Sequence, residues 1–172
     1  MAKPSGLKLV NRTGRTDIPL TENGVDVIRN VAPEVVGTGK LFDPENLSHT
    51  WVSPRERALK TFELLFESLD ELPPHEVCED VGEWDYGDYE GLTYEEIQNK
   101  NPGWSIWNYG CPGGESVEDM ATRVDGVITK VREVHRKYFE DGEGGRDALI
   151  VAHGDFSRVL ISRWVGFPLC LG

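Results

Sequence analysis

Apolar residues recur at helical intervals in several stretches of the chain. The first stretch follows Thr21, which we expect to cap a helix that runs to about Val36 unless Pro33 kinks it or ends it early. A second helix is predicted from Pro54 to about Leu69, and the longest from Ser116 to about Tyr138. The apolar side of the first helix carries Val25, Ile28, Val31 and Val35.

Short apolar runs between these helices predict strands at Leu7–Val10, His49–Val52, Glu76–Cys78 and Ala148–Ala152. The last run is continuous, as expected for a strand buried on both faces. Strands that alternate with helices favour an α/β fold with parallel connections. We therefore expect a three-layer α/β/α sandwich with a mostly parallel sheet, in a single domain that spans residues 1–172.

The remaining segments carry cap and loop signals. Thr93-x-x-Glu96 is a capping box that predicts a short helix ended by Pro102. Gly82–Gly91 is acidic, aromatic and punctuated by glycine, which predicts a surface loop, and Trp104–Gly114 predicts a second aromatic loop. A final helix is expected to begin near Phe156.

Composition narrows the classes of function. The 172 residues carry a net charge of −12 and a pI of about 4.7, which argues against nucleic acid and anionic membranes as partners. The cysteines Cys78, Cys111 and Cys170 form no C-x-x-C pair, and no run approaches transmembrane length. We expect reduced thiols and a cytoplasmic, or also nuclear, location. No metal or other cofactor is implied, and the oligomeric state stays open.

Two loops point to one crevice. In parallel sheets, ligands bind outside the carboxyl ends of the strands. Ser53–Arg57 follows one predicted strand and His153–Asp155 follows the buried one, so an Arg and a His are expected to meet there. Asp155 and Ser157 lie at a helix N-terminus, which is a natural site for an anion.

Five motifs then occur in a fixed order over almost the whole chain. They are Thr13–Gly24, Ser53–Thr61 (Ser-Pro-x-x-Arg-Ala-x-x-Thr), Gly82–Gly91 (Gly-Glu-Trp-x-Tyr-Gly-x-Tyr-Glu-Gly), Gly113–Ser116 and Ala152–Gly154. In this order the chain resembles the histidine phosphatase, or phosphoglycerate mutase-like, superfamily. The sequence of the Gly82–Gly91 motif is most similar to that of fungal sedoheptulose bisphosphatase-like members.

The resemblance implies hydrolysis of a phosphoric monoester, a sugar phosphate or bisphosphate, through a phosphohistidine. Arg57 matches the phosphate-binding arginine, Glu83 the general acid that protonates the leaving oxygen, and His153 the second active-site histidine. Arg55 either touches substrate or is solvated. The substrate-contacting loop matches Thr13, Gly14, Arg15 and Thr16.

Plainer interpretations stand beside these roles. Arg57 would otherwise be a helix-surface residue paired with Glu56 or Glu63, and Glu83 one more acid in an acidic loop. His153 would be a satisfied residue of the core. The family motifs favour the active-site interpretation in each case.

One segment of the family pattern is missing from the sequence. The nucleophile belongs to an Arg-His-Gly segment before the Thr-Gly-x-Thr-Asp loop, but only Met1–Arg12 precede Thr13, and no histidine occurs before His49. Relatives also continue beyond Leu171-Gly172. We therefore expect an incomplete fold and little or no turnover. The alternatives are a phosphatase whose catalytic segment was lost from the gene model, a pseudo-phosphatase that binds phosphorylated ligands, and a remnant without a pocket.

Overall fold

A computed structural model describes residues 11–142 and 145–169. In that part of the chain, β1 (Leu47–Val52), β2 (Glu76–Val77) and β3 (Asp147–Val151) form a parallel sheet in the order β2-β1-β3. The prediction of an α/β fold with a parallel sheet is confirmed. The strand predicted at Leu7–Val10, and Cys170, lie outside the described residues.

Helices flank these strands along the chain. They are α1 (Glu22–Val35), α2 (Glu56–Leu65), α3 (Tyr94–Lys100), α4 (Ile106–Tyr109), α5 (Val117–Arg136) and α6 (Gly154–Val165). Thr21 caps α1, and Thr93–Glu96 and Ser116–Asp119 form reciprocal capping boxes on α3 and α5. Among the described helices, none is both long and apolar enough to cross a membrane.

Two details of the helix predictions were wrong, and the effect of Pro33, which the sequence left open, is now visible. Helix α1 continues past Pro33 to Val35, because a proline in the last turn removes a hydrogen bond only near the helix end. Val31 is 47% exposed, whereas Ala32 is buried, since the face set by Val25 and Ile28 continues through residue 32 at intervals of three and four. Helix α2 ends at Leu65, four residues before the predicted Leu69.

Alternate residues of β1 face two separate clusters of the core. Trp51 packs in a cluster with residues of α5 and α6, and Val52 in a cluster with residues of α2. Strand β3 divides in the same way: Leu149 contributes to the second cluster, and Ile150 packs against the first. The sheet therefore lies between two helical layers.

The segment Gly82–Gly91 is not the surface loop that we predicted. Trp84, Tyr86 and Tyr89 are buried in the larger cluster, with Trp84 at 0% exposure. Apolar and acidic residues alternate here, so the aromatic rings face the core while the acids between them face outward or toward the crevice. The predicted loop at Trp104–Gly114 likewise contains the short helix α4.

Candidate active site

The two loops expected to converge meet at the carboxyl ends of β1 and β3. The Ser53 amide donates to the Val151 carbonyl oxygen at 2.9 Å, which extends the pairing of the strands by one residue. At the same point, Nε2 of His153 lies 2.7 Å from Oγ of Ser53. Parallel pairing thus brings together residues that are 100 positions apart in the sequence.

Glu83 lies at the N-terminus of α6. Its Oε1 accepts hydrogen bonds from the amides of Phe156 and Trp84, both at 2.9 Å, and its Oε2 accepts one from the amide of Asp155 at 3.2 Å. Burial nevertheless raises the pKa of Glu83, because the loss of hydration outweighs these donors, and the charge of Asp155 acts in the same direction. This environment favours a protonated carboxyl group.

The anion site predicted at this helix end is therefore filled by the protein itself. The Asp155 and Phe156 amides hold the Glu83 carboxyl group, and the Ser157 amide donates to the His153 carbonyl oxygen. The side chain of Asp155 is buried and binds Arg12 (2.6 Å) and the hydroxyl of Tyr86 (2.9 Å). The sequence interpretation missed Arg12 because its partner is 143 residues away.

His153 is held in its neutral form. Burial, together with the positive charges of Arg57, Arg55 and Arg123, lowers the pKa of His153 to about 4. A neutral imidazole has one N–H donor and one acceptor nitrogen, so the contact with Ser53 leaves the second ring nitrogen for another partner.

Arg57 and Arg55 bind the loop that was predicted to contact substrate. Arg57 donates to the carbonyl oxygens of Thr13 (2.9 Å) and Thr16 (3.2 Å), and Arg55 donates to that of Gly14 (3.0 Å). Arg57 is thus held on the crevice side, and Glu63, its suggested surface partner, pairs with Lys60 instead. The two guanidinium groups therefore hold this loop against the start of α2.

The Thr13–Thr16 loop is fixed from its other side by Glu90. This carboxylate accepts hydrogen bonds from the amides of Gly14 (3.1 Å) and Thr16 (2.9 Å). A side chain at Gly14 would place its Cβ 2.0 Å from the carbonyl oxygen of Trp84, so only glycine fits. Arg15 projects outward, 74% exposed, and pairs with Asp85 at 2.8 Å.

Arg123 is a second residue that the sequence interpretation missed. It binds Glu115 through two hydrogen bonds (2.7 and 2.8 Å) and donates to the carbonyl oxygens of Asp80 (2.8 Å) and Gly82 (3.0 Å). These contacts fix the main chain just before Glu83. A signal was present, because Arg123 follows Met120 by three residues on the buried face of α5.

A cavity of about 360 Å³ opens beside these groups. Its lining includes Glu83, Arg55 and Arg15, whereas Arg57 and His153 are not among the residues that line it. In residues 11–142 and 145–169, no group of three or more His, Cys, Asp or Glu side chains is arranged to hold a metal ion. The candidate site therefore combines a half-buried acid, a neutral histidine and arginines at one edge of the sheet.

Comparison with known proteins gives matches along nearly the whole sequence. The chain is 38% identical over 164 residues to an acid phosphatase of Mycobacterium tuberculosis, covering 95% of this chain and 72% of the relative. It is 31% identical over 166 residues to the sedoheptulose 1,7-bisphosphatase of Saccharomyces cerevisiae, covering 90% of this chain and 61% of that enzyme.

Solved structures give the same result. A protein of Mycobacterium tuberculosis with 34% identity superposes with a TM-score of 0.73, over 92% of this chain and 73% of that protein. A mycobacterial glucosyl-3-phosphoglycerate phosphatase in complex with inorganic phosphate shares the fold, with a TM-score of 0.73 and 24% identity over 92% of this chain and 75% of that one. The family profile described as histidine phosphatase superfamily (branch 1) matches residues 7–171. The chain belongs to the histidine phosphatase superfamily.

Proposed function

We propose that this chain binds the phosphate group of a phosphorylated sugar at the carboxyl ends of β1 and β3, as part of a phosphoric monoester hydrolase. The observation that carries the proposal is the pairing of opposite pKa shifts: that of Glu83 is raised and that of His153 is lowered, beside two arginines. Relatives named as acid phosphatase and sedoheptulose 1,7-bisphosphatase support the substrate class.

Each residue has a role in this proposal. Arg57 uses two N–H groups on loop carbonyl oxygens, and a guanidinium has donors left for phosphoryl oxygens, as Arg55 also has. His153 donates its ring N–H to the same oxygens. Glu83 is the proton donor to the leaving oxygen, because burial raises the pKa of its carboxyl group and so favours the protonated form that a general acid needs. The Thr13–Thr16 loop forms the wall beside the sugar.

The sequence itself supports a second candidate, a phosphate-binding chain with little turnover. Arg-His-Gly does not occur in the 172 residues, and three of the four histidines have no position at the site. His49 contacts Glu76, His75 contacts the Pro73 carbonyl oxygen, and His135 lines a different cavity. For the chain with this sequence we expect slow hydrolysis or none, since loss of a nucleophile removes several orders of magnitude from the rate. An acid-labile, base-stable phosphoenzyme would contradict this.

A binding titration tests the phosphate site. Sulfate and sedoheptulose 1,7-bisphosphate are titrated calorimetrically into the parent chain, Arg57→Ala and the control Arg132→Ala, whose arginine lies 5.6 Å from the Trp164 ring. Charge-assisted hydrogen bonds contribute about 1.5–3 kcal/mol each, so two of them predict millimolar or tighter binding. We expect Arg57→Ala to abolish binding and Arg132→Ala to leave it unchanged. Equal affinities in all three folded proteins would reject the site.

The same titration tests metal dependence. Arg and His balance the phosphate charge in this proposal, so EDTA and Mg²⁺ are each expected to leave the affinity for sulfate unchanged. Binding that is lost with EDTA and restored by Mg²⁺ would indicate another mechanism.

Two further expectations belong to the proposal. Both core clusters share the one sheet, which supports a single domain over residues 1–172. Cys78 and Cys111 are free and buried, which supports a reducing compartment, the cytoplasm or the nucleus.

A further inference from the structure

The buried carboxylate of Asp155 binds more groups than the proposed reaction uses. Asp155 is 5% exposed, and its Oδ2 accepts hydrogen bonds from Nη1 of Arg12 at 2.6 Å and from the hydroxyl of Tyr86 at 2.9 Å. The Arg12 guanidinium also lies 5.4 Å from the centre of the Tyr86 ring. A second arginine, Arg158, reaches Oδ1 from the solvent side at 3.4 Å.

Asp155 also contacts the proposed proton donor directly. Its amide donates to Oε2 of Glu83 at 3.2 Å, so the main chain of Asp155 fixes the position of the acid while its side chain places a negative charge nearby. Like charges in a buried setting disfavour a second ionisation. Arg12 and Tyr86 hold the Asp155 carboxylate in place, and the positive charge of Arg12 partly offsets its negative charge.

We propose that Asp155, held by Arg12 and Tyr86, is a positioning residue that orients Glu83 at the start of α6 and disfavours its ionisation. The proposal rests on the proposed role of Glu83 as proton donor. Asp155 itself touches no substrate, because its carboxylate is enclosed by Arg12 and Tyr86. The negative charge of Asp155 raises the pKa of Glu83, whereas the positive charge of Arg12 is expected to lower it. This difference in sign makes the proposal testable.

Other charged groups also face Glu83, from several elements. Arg123 of α5 lies 3.5 Å from the Glu83 carbonyl oxygen, and His153 precedes the helix that holds the carboxyl group. The cavity wall beside Glu83 adds Arg15, Arg55, Glu79, Asp85, Glu115 and Asp119. The substitutions below leave all of these groups in place, so a change in the pKa of Glu83 reports on Asp155 and its partners.

The test is a pH titration of the Glu83 side-chain carboxyl carbon by ¹³C NMR on the full chain, with the signal assigned by its loss in Glu83→Gln. Asp155→Asn is expected to lower the pKa of Glu83, because it removes the negative charge that opposes ionisation of Glu83. Arg12→Met is expected to raise that pKa, and Arg12→Lys, which keeps the charge, to leave it close to the parent value.

Arg158→Met is the matched control. Arg158 contacts the same carboxylate, but its side chain is 67% exposed against 25% for Arg12, so water screens it. Its substitution is expected to move the pKa of Glu83 much less than Arg12→Met does. Equal effects of the two arginines, or no fall in Asp155→Asn, would overturn the proposal. If Arg12→Met does not fold, Asp155→Asn alone decides.

These readouts are independent of the proposed phosphatase function. The pKa of Glu83 is measured without substrate, so it reports on Asp155 even if no phosphate binds. Failure of the sulfate titration together with the expected NMR shifts would reject the proposed function and keep the electrostatic role of Asp155. Normal sulfate binding with an unchanged pKa in Asp155→Asn would do the reverse.

Discussion

Glu83 and Glu90 lie in one loop and both accept hydrogen bonds from main-chain amides, yet the fold moves their pKa values in opposite directions. Burial raises the pKa of Glu83, and three amide donors do not compensate. Glu90 is less buried: burial raises its pKa too, but the donors from Thr16, Gly14 and Arg15 outweigh that effect and lower it. Of the two carboxyl groups, only Glu83 has the negative charge of Asp155 beside it, and this charge also raises its pKa.

The comparison teaches that amide donors alone do not decide the state of a carboxyl group. A helix N-terminus and a loop both present N–H groups, and both stabilise an anion. The balance between those donors and lost hydration decides which group ionises. The Gly82–Gly91 segment therefore holds one carboxyl group whose pKa is raised and one whose pKa is lowered, and the second binds the Thr13–Thr16 loop.

Gly14→Ala is expected to have the largest effect, and it acts on the loop that Glu90 binds. The added Cβ would lie 2.0 Å from the Trp84 carbonyl oxygen, so the loop must move away from the Glu90 carboxylate. We expect a loss of about 2–3 kcal/mol in the free energy of unfolding, as for an overpacked core site. Urea denaturation followed by tryptophan fluorescence measures it.

Gly126→Ala is the control for that substitution. Gly126 lies inside α5, and a Cβ there meets nothing within 4 Å. Alanine in a helix interior is expected to stabilise the protein by about 0.5–1 kcal/mol. Equal destabilisation by both substitutions would show that the contact with Trp84 does not limit the loop.

The dependence of stability on pH is the next largest effect. The raised pKa of Glu83 contributes stability that is fully present below its unfolded-state pKa of about 4.3 and is lost as the pH rises through the folded-state pKa. The lowered pKa of Glu90 contributes stability that is present above about pH 4.3 and is lost as the pH falls through its folded-state value.

Opposite slopes are therefore expected for two variants. Relative to Glu83→Gln, which mimics the protonated acid, the parent should lose stability as the pH rises above about 4.5. Relative to Glu90→Gln, the parent should lose its advantage as the pH falls below that value. Urea denaturation midpoints at several pH values measure both differences in the free energy of unfolding. The contribution of His153 is common to parent and variant and therefore cancels. Slopes of the same sign would contradict the comparison.

The smallest expected effect concerns the side chain of Arg15, in the loop that Glu90 binds. Arg15→Ala removes an exposed ion pair with Asp85 but keeps the Arg15 amide. Exposed pairs contribute about 0–1 kcal/mol, so we expect a change of less than about 0.5 kcal/mol in the free energy of unfolding. A larger loss would mean that the side chain, and not the main chain, holds the loop against Glu90.

The sequence predicted those parts of the molecule whose signals are local. The capping box of α3 formed as expected and α5 begins after Ser116 as predicted, because the residues that cap each helix lie three positions apart. The meeting of His153 with the Ser53–Arg57 loop was also predictable, since parallel strands end at one edge of a sheet. The assignment of these residues to catalysis came from the family motifs and stays a prediction.

The missed features depend on partners far along the chain. Nothing near Arg12 indicates Asp155, and nothing near Asp155 shows that its carboxylate binds Arg12 and Tyr86. The burial of Trp84 and Tyr86 was visible in the alternation of apolar and acidic residues, but the glycines around them outweighed it in our prediction. Arg123 likewise showed only as a charge on an apolar helix face.

The parallel pairing of β1 with β3 determines when the sheet can be completed during synthesis. During synthesis, β2 follows β1 closely, but β3, the other partner of β1, emerges from the ribosome only after about a hundred further residues, given a separation of 100 positions between Ser53 and His153. Until then, β1 exposes an unpaired edge rich in apolar residues, which is a surface on which chains aggregate. Contacts of such long separation also close slowly. A nascent chain that stops before residue 147 therefore has neither a complete sheet nor a site.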